Sequence, residues 1–104
     1  MITAFVQFKL PRAMTPDQAR EVFLSTAPRY LGMHGLIRKY YLLSDDGSTA
    51  GGVYLWKTRE DAERVYTEEW RRFIVDKYGV EPSLSYFATP VVVDNPLGRL
   101  LTED

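Results

Sequence analysis

No cysteine occurs in this 104-residue chain, and histidine occurs once. Without cysteine there can be no disulfide, no thiolate nucleophile and no cysteine-based metal site. His34 alone cannot build a histidine metal centre, and no carboxylate pair stands at a ligand spacing, so no metal site is expected. It is also the only partner open to Ser25, Ser44, Ser83 or Ser85, and no spacing orders it as the base of a triad. An excess of charge of either sign is missing too. Thirteen basic residues face fourteen acidic ones for a net charge of −1, so the chain has no field to hold nucleic acid or an anionic membrane. No apolar run approaches the ~20 residues that span a bilayer. The opening Met-Ile-Thr-Ala-Phe-Val-Gln-Phe lacks the basic and apolar regions of a signal peptide, and a cytoplasmic location is expected.

What is present is an ordinary globular composition, 45% apolar and 26% charged, without repeats, linkers or low-complexity segments. One domain spanning residues 1–104 is expected. Ile2 to Leu10 alternates, with Ala4, Val6, Phe8 and Leu10 on one face and Thr3, Phe5, Gln7 and Lys9 on the other, which is a strand. Thr15-Pro16-Asp17-Gln18 supplies an N-cap, a first-turn proline and a capping-box partner. Ala19, Val22, Phe23, Ala27, Tyr30 and Leu31 follow as an apolar stripe at helical spacing, which Pro28 should break or kink. Gly35 to Trp56 then reads as a hairpin around Asp45-Asp46-Gly47.

Thr58 opens a second helical region with a stripe of Ala62, Val65, Tyr66, Trp70, Phe73, Ile74 and Tyr78. Thr67 is placed to cap a second helix inside it, Glu60–Arg64 and Glu68–Arg72 stand at ion-pair spacing, and Gly79 marks its end. Ser83 to Val93 reads as a last strand interrupted by Pro90, followed by a loop. The order β-α-β-β-α-β predicts a ferredoxin-like α+β fold: a four-stranded antiparallel sheet, strands one and three central, helices on one face. The proline-bearing last strand suits an edge. Both hairpin strands are apolar at nearly every position, so both sheet faces need cover. The chain has helices for one, which predicts a homodimer packed sheet to sheet.

The chemistry-bearing residues are few. Gly51-Gly52 has no phosphate-loop pattern around it and reads as close packing. His34, between Gly32 and Gly35, is the one side chain titrating near neutrality and the candidate acid–base residue, against the plainer reading of a loop histidine. Tyr54 and Trp56 share a strand face, and Tyr66 and Trp70 share a helical stripe. Gln7 lies on the neighbouring first strand. Each aromatic taken singly is a core residue. Together their hydroxyls, indoles and the Gln7 amide carry more polar tips than a core requires, as a small-molecule pocket would. RNA-recognition motifs share the topology, but their basic residue and aromatic spacing are absent here.

Ala27-Pro28-Arg29-Tyr30, Gly35-Leu36-Ile37-Arg38-Lys39-Tyr40-Tyr41 and Gly51-Gly52-Val53-Tyr54-Leu55-Trp56 together resemble the YdhR-like monooxygenase family of the dimeric α+β barrel superfamily, which is related to the antibiotic-biosynthesis monooxygenases. The resemblance implies a homodimer whose two sheets form a barrel, with a pocket in each subunit between sheet and helices. It further implies oxygenation of a small hydrophobic or aromatic molecule without metal or flavin. Gln7, Tyr54, Trp56, Tyr66 and Trp70 are the pocket candidates it leaves, with His34 as candidate base. Haem is disfavoured, because the haem-degrading relatives use a histidine on the second helical region and none stands there. The alternative, from a different class, is a non-catalytic dimeric domain that binds a small ligand or serves in stress.

Overall fold

The computed structural model describes residues 1–103. Strand β1 (Ile2–Lys9) is followed by helix α1 (Pro16–Thr26), whose capping box is complete: Thr15 Oγ1 accepts from the Gln18 amide while Gln18 Oε1 accepts from the Thr15 amide. Pro28 ends the α-helical winding, and Ala27–Arg29 continue as a single 3₁₀ turn. Strands β2 (Leu36–Leu43) and β3 (Thr49–Trp56) form the expected hairpin, and helices α2 (Arg59–Val65) and α3 (Glu68–Tyr78) are capped separately by Thr58 and Thr67. Gly79, at φ 77°, takes the left-handed C-cap of α3. Strand β4 (Ser83–Ala88) completes an antiparallel sheet of order β2-β3-β1-β4 with the helices on one face. The fold is ferredoxin-like α+β, with β1 and β3 central as predicted.

Register decides which side chains meet. Ala4 pairs with Tyr54, Val6 with Gly52 and Phe8 with Ala50. These residues, with Trp56, form the buried face against Ala62, Trp70 and Ile74 of the helices. On β2, Lys39, Tyr41 and Leu43 pair with Tyr54, Gly52 and Ala50 and so share that face. Phe5, Gln7, Tyr40, Leu42, Val53 and Phe87 fall on the other, where Tyr40 and Phe87 remain more than half exposed. Helices cover one face; the other mixes these residues with Arg38, Ser83 and Ser85, and on it Leu55 is buried while Asp94, also buried, pairs with Arg38.

Three expectations are corrected. Residues 83–93 do not form one strand: Pro90 has no amide to donate, the ladder stops at Ala88, and Val91–Asp94 (β5) pairs instead with Arg99–Thr102 (β6). The tail is thus a hairpin rather than a loop, turned at Gly98 (φ 64°) and pinned by Leu97 N–H to Asp94 Oδ1 (3.2 Å). Leu31 leaves the helical stripe and is 88% exposed, because the 3₁₀ turn rotates it outward. The helical ion pairs are Arg59–Glu63, Asp61–Arg64 and Glu68–Arg71 rather than Glu60–Arg64 and Glu68–Arg72.

The hairpin is an arm. It is anchored to β2 by the Arg38–Asp94 ion pair, yet Val91, Val93, Leu97 and Leu100 are all more than half exposed. The radius of gyration, 14.3 Å, exceeds the ~13 Å of a compact chain this size, consistent with a projecting element.

Gly51 has a packing reason for lacking a side chain, as the close-packing reading held. A Cβ there would lie 2.0 Å from the Val6 carbonyl oxygen and 2.8 Å from Gln7 Cα, both main-chain atoms that cannot step aside. Gly51→Ala is expected to destabilise the fold by about 1–3 kcal/mol, read as a lower urea midpoint at unchanged m-value. An unchanged midpoint would show that the β1–β3 ladder can spread.

Candidate functional site

Four of the residues singled out in the sequence come together between sheet and helices. Tyr54 and Trp56 stack with centroids 6.2 Å apart, and Tyr66 stands edge-on to both, at 5.4 and 5.9 Å. Trp70 meets Tyr66 edge-to-face at 4.8 Å. Tyr30, from the end of the 3₁₀ turn, meets Tyr54 at 5.8 Å. These are the offset and edge contacts that aromatic quadrupoles favour. Trp56 is completely buried, and its Nε1 donates to the Tyr66 hydroxyl at 3.1 Å. Trp70 Nε1 is buried with no hydrogen-bond partner among the described residues. A buried donor left unpaired costs about 1–3 kcal/mol.

Gln7 and His34 lie elsewhere. Gln7 is on the opposite face of the sheet, at the edge of a shallow 290 Å³ depression with Phe5, Leu42 and Gly51. His34 is 86% exposed at the side chain and faces solvent. Its Nε2 is 3.6 Å from Asp61 Oδ1, a carboxylate whose pKa is held down by hydrogen bonding to Thr58 and by Arg64. Asp61 also blocks any side chain at Gly35. The carboxylate–histidine pair thus belongs to the packing of the 32–35 loop against α2.

Lys39 is a residue the sequence expectations do not include. Its Nζ lies 3.5 Å from the Tyr30 ring centroid, 3.8 Å from that of Tyr41 and 4.5 Å from that of Tyr54. No carboxylate pairs with it among the described residues. Burial first, then the charge of Arg29, brings its pKa down to about 7, while the three ring faces favour the ammonium. The amine is therefore close to balance between its two forms at neutral pH. Burial moves the Tyr54 and Tyr66 hydroxyls the other way, well above the usual tyrosine range. The sequence did hold a signal: Lys39 has the parity of Tyr41 and Leu43, a charge on an apolar strand face.

Tyr30 is a shared wall. A cleft of about 300 Å³ between the 3₁₀ turn and α3 is lined by Tyr30, Met33, Val65, Trp70 and Phe73 together with the polar Arg29, Thr67 and Glu69. A second cavity, of about 250 Å³, lies at the edge strand β2 among Tyr30, Leu36, Arg38, Lys39 and Tyr41. An interior void of about 20 Å³ between them touches Tyr30, Lys39 and Tyr54. Tyr30 lines all three spaces, Lys39 lines the edge cavity and the void, and Trp70 lines the cleft. Among the described residues no cluster of three potential metal ligands occurs, and no helix is long and apolar enough to cross a membrane.

No family model matches the sequence, and no curated protein aligns with it. Solved structures do share the fold. SnoaB, a cofactor-independent oxygenase from Streptomyces nogalater, superposes with a TM-score of 0.63 at 16% identity, over 85% of this chain and 91% of that one. The ActVA-Orf6 monooxygenase of Streptomyces coelicolor, solved with nanaomycin D, gives 0.66 at 14% identity over 88% and 89%. A proposed antibiotic biosynthesis monooxygenase from Deinococcus radiodurans gives 0.66 at 8% identity over 90% and 97%. What this chain shares with them is the ferredoxin-like α+β fold, across most of both chains.

Lys39 makes stability depend on pH. The unfolded lysine stays protonated to about 10.5, whereas the folded one gives up its proton near 7. Between those values the unfolded state binds more protons, so stability rises with pH. Wild-type Tm is expected to climb from pH 7 to 9.5 relative to that of Lys39→Met. Parallel curves for the two proteins would place the amine in water.

Proposed function

We propose that this chain is a cofactor-independent monooxygenase acting on a small aromatic molecule held between the sheet and the helices. The observation that carries the reading is the aromatic cluster of Tyr30, Tyr54, Trp56, Tyr66 and Trp70, in which Tyr30 and Trp70 wall a cleft of about 300 Å³ between the 3₁₀ turn and α3. The fold shared with oxygenases, one of them described as cofactor-independent, supports it. The chemistry is self-contained: a substrate CH₂ activated by neighbouring rings loses a proton, the carbanion reduces O₂, and the products are a C=O group and water. The protein binds the ring system, excludes bulk water and donates hydrogen bonds to the substrate oxygens. Oxygen uptake with anthrone, measured on metal-free protein, tests this. Trp70→Phe keeps the ring bulk and removes the donor, so kcat/KM is expected to fall about tenfold to a hundredfold, the range for a hydrogen bond to a charged oxygen. Absence of uptake across a panel of anthrones and quinols would overturn the reading.

The functional unit we propose is a homodimer packed through the open face of the sheet. Tyr40, Leu42 and Phe87 are exposed there beside the half-buried Phe5 and Val53, and the β5–β6 arm carries four exposed apolar side chains. A second copy of the chain covers both. Sedimentation at micromolar concentration is expected to give about twice the 12.0 kDa chain mass, and Tyr40→Asp with Phe87→Asp to give the single chain. A wild-type species at the single-chain mass would refute the dimer.

A further inference from the structure

We propose that Lys39 is the proton acceptor of this site: its Nζ takes the proton from the phenolic or enolic hydroxyl of the bound aromatic molecule, and the ammonium so formed holds the anion. This deepens the oxygenase reading and rests on it. Three observations place the task on this residue.

The first is position. Lys39 sits on the buried face of β2, opposite Tyr54, and lines both the 250 Å³ cavity at the sheet edge and the interior void. The edge-strand cavity therefore brings a bound molecule against Lys39. The second is the lack of any lone-pair partner. Three ring faces surround Nζ, and ring faces attract a cation without accepting its N–H bonds as a carboxylate would. An oxyanion supplies what the cage lacks. The third is the charge around it. The titratable and charged groups facing the amine are Arg29, Tyr30, Arg38, Tyr41, Tyr54 and Tyr78, none of them acidic at neutral pH. Arg29 and burial keep a useful fraction of the amine unprotonated at pH 7. His34 has none of these properties: it is exposed and already beside a carboxylate.

The step balances within itself. The substrate O–H bond breaks, its electron pair stays on oxygen, and a new N–H bond forms on Lys39. No oxidant enters at this stage. The delocalised anion is the electron-rich species that reacts with O₂ in the reaction proposed above.

The test separates the two proposals. 2-Hydroxyanthraquinone, whose phenolate absorbs at longer wavelength than its phenol, is titrated with pH free and bound to the protein without oxygen turnover. On wild type its ionisation is expected about 1–3 pH units below that of the free dye, the effect of a cation within about 4–6 Å. Lys39→Met, which removes a buried amine and so should fold, is expected to bind the dye without that shift. Lys39→Arg keeps a permanent cation and should preserve the shift. Because it has no neutral form near pH 7, its anthrone oxygenation should fall by about 10²-fold or more. A Lys39→Met protein that binds the dye with the wild-type shift overturns the role of Lys39 and leaves the oxygenase reading standing. Normal oxygen uptake by Lys39→Arg does the same. Wild type that neither binds the dye nor consumes oxygen overturns both.

Discussion

A four-stranded sheet has two faces, and this chain carries helices for one. On the covered face β1 and β3 bring Ala4, Val6, Ala50 and Gly52 together with Tyr54 and Trp56, so small residues on the ladder make room for large rings above it. Gly51, with the Val6 carbonyl and Gln7 Cα where a Cβ would be, keeps β1 and β3 at that close approach. The aromatic chamber depends on the ladder, since a one-residue slip would send Tyr54 and Trp56 to the bare side. The same geometry leaves Tyr40 and Phe87 more than half exposed on the other face.

The interior selects neutral forms. Burial raises the Tyr54 and Tyr66 hydroxyls and lowers the Lys39 amine, so each is driven toward the state without charge. For the tyrosines this means hydrogen-bond donors that stay protonated at any physiological pH. For Lys39 it means an amine with a free lone pair near neutrality. The pairing of Trp56 with Tyr66 satisfies one indole internally, while that of Trp70 is left over.

Several features were legible because they are local. Thr15, Pro16 and Gln18 announce a capping box, Thr67 and Gly79 bracket α3, and strict alternation in β1 assigns faces before any fold is known. That alternation already set Gln7 against Val6. Grouping it with Tyr54 relied on strands being neighbours, and neighbouring strands still have two sides. His34 was chosen for its titration range, which says nothing about burial. Lys39 was passed over because a lysine in a strand is ordinarily a solvent-facing residue, and only its parity with Tyr41 argued otherwise. Pro90 was read as an interruption when it is a terminus. A missing amide ends a ladder, but whether the chain resumes in the same sheet depends on what else is near.

The sequence by itself determined the element order, the topology, the central and edge strands and the one-sided helical cover, because these follow from periodicity, caps and proline chemistry along the chain. Tertiary structure alone decided the site. Which rings touch, which indole lacks a partner, and which amine loses its water are set by register and packing between residues as far apart as Tyr30, Lys39, Tyr54 and Trp70. Burial is a property of the assembled sheet and helices, and it is burial, more than the Arg29 charge, that brings the Lys39 pKa down.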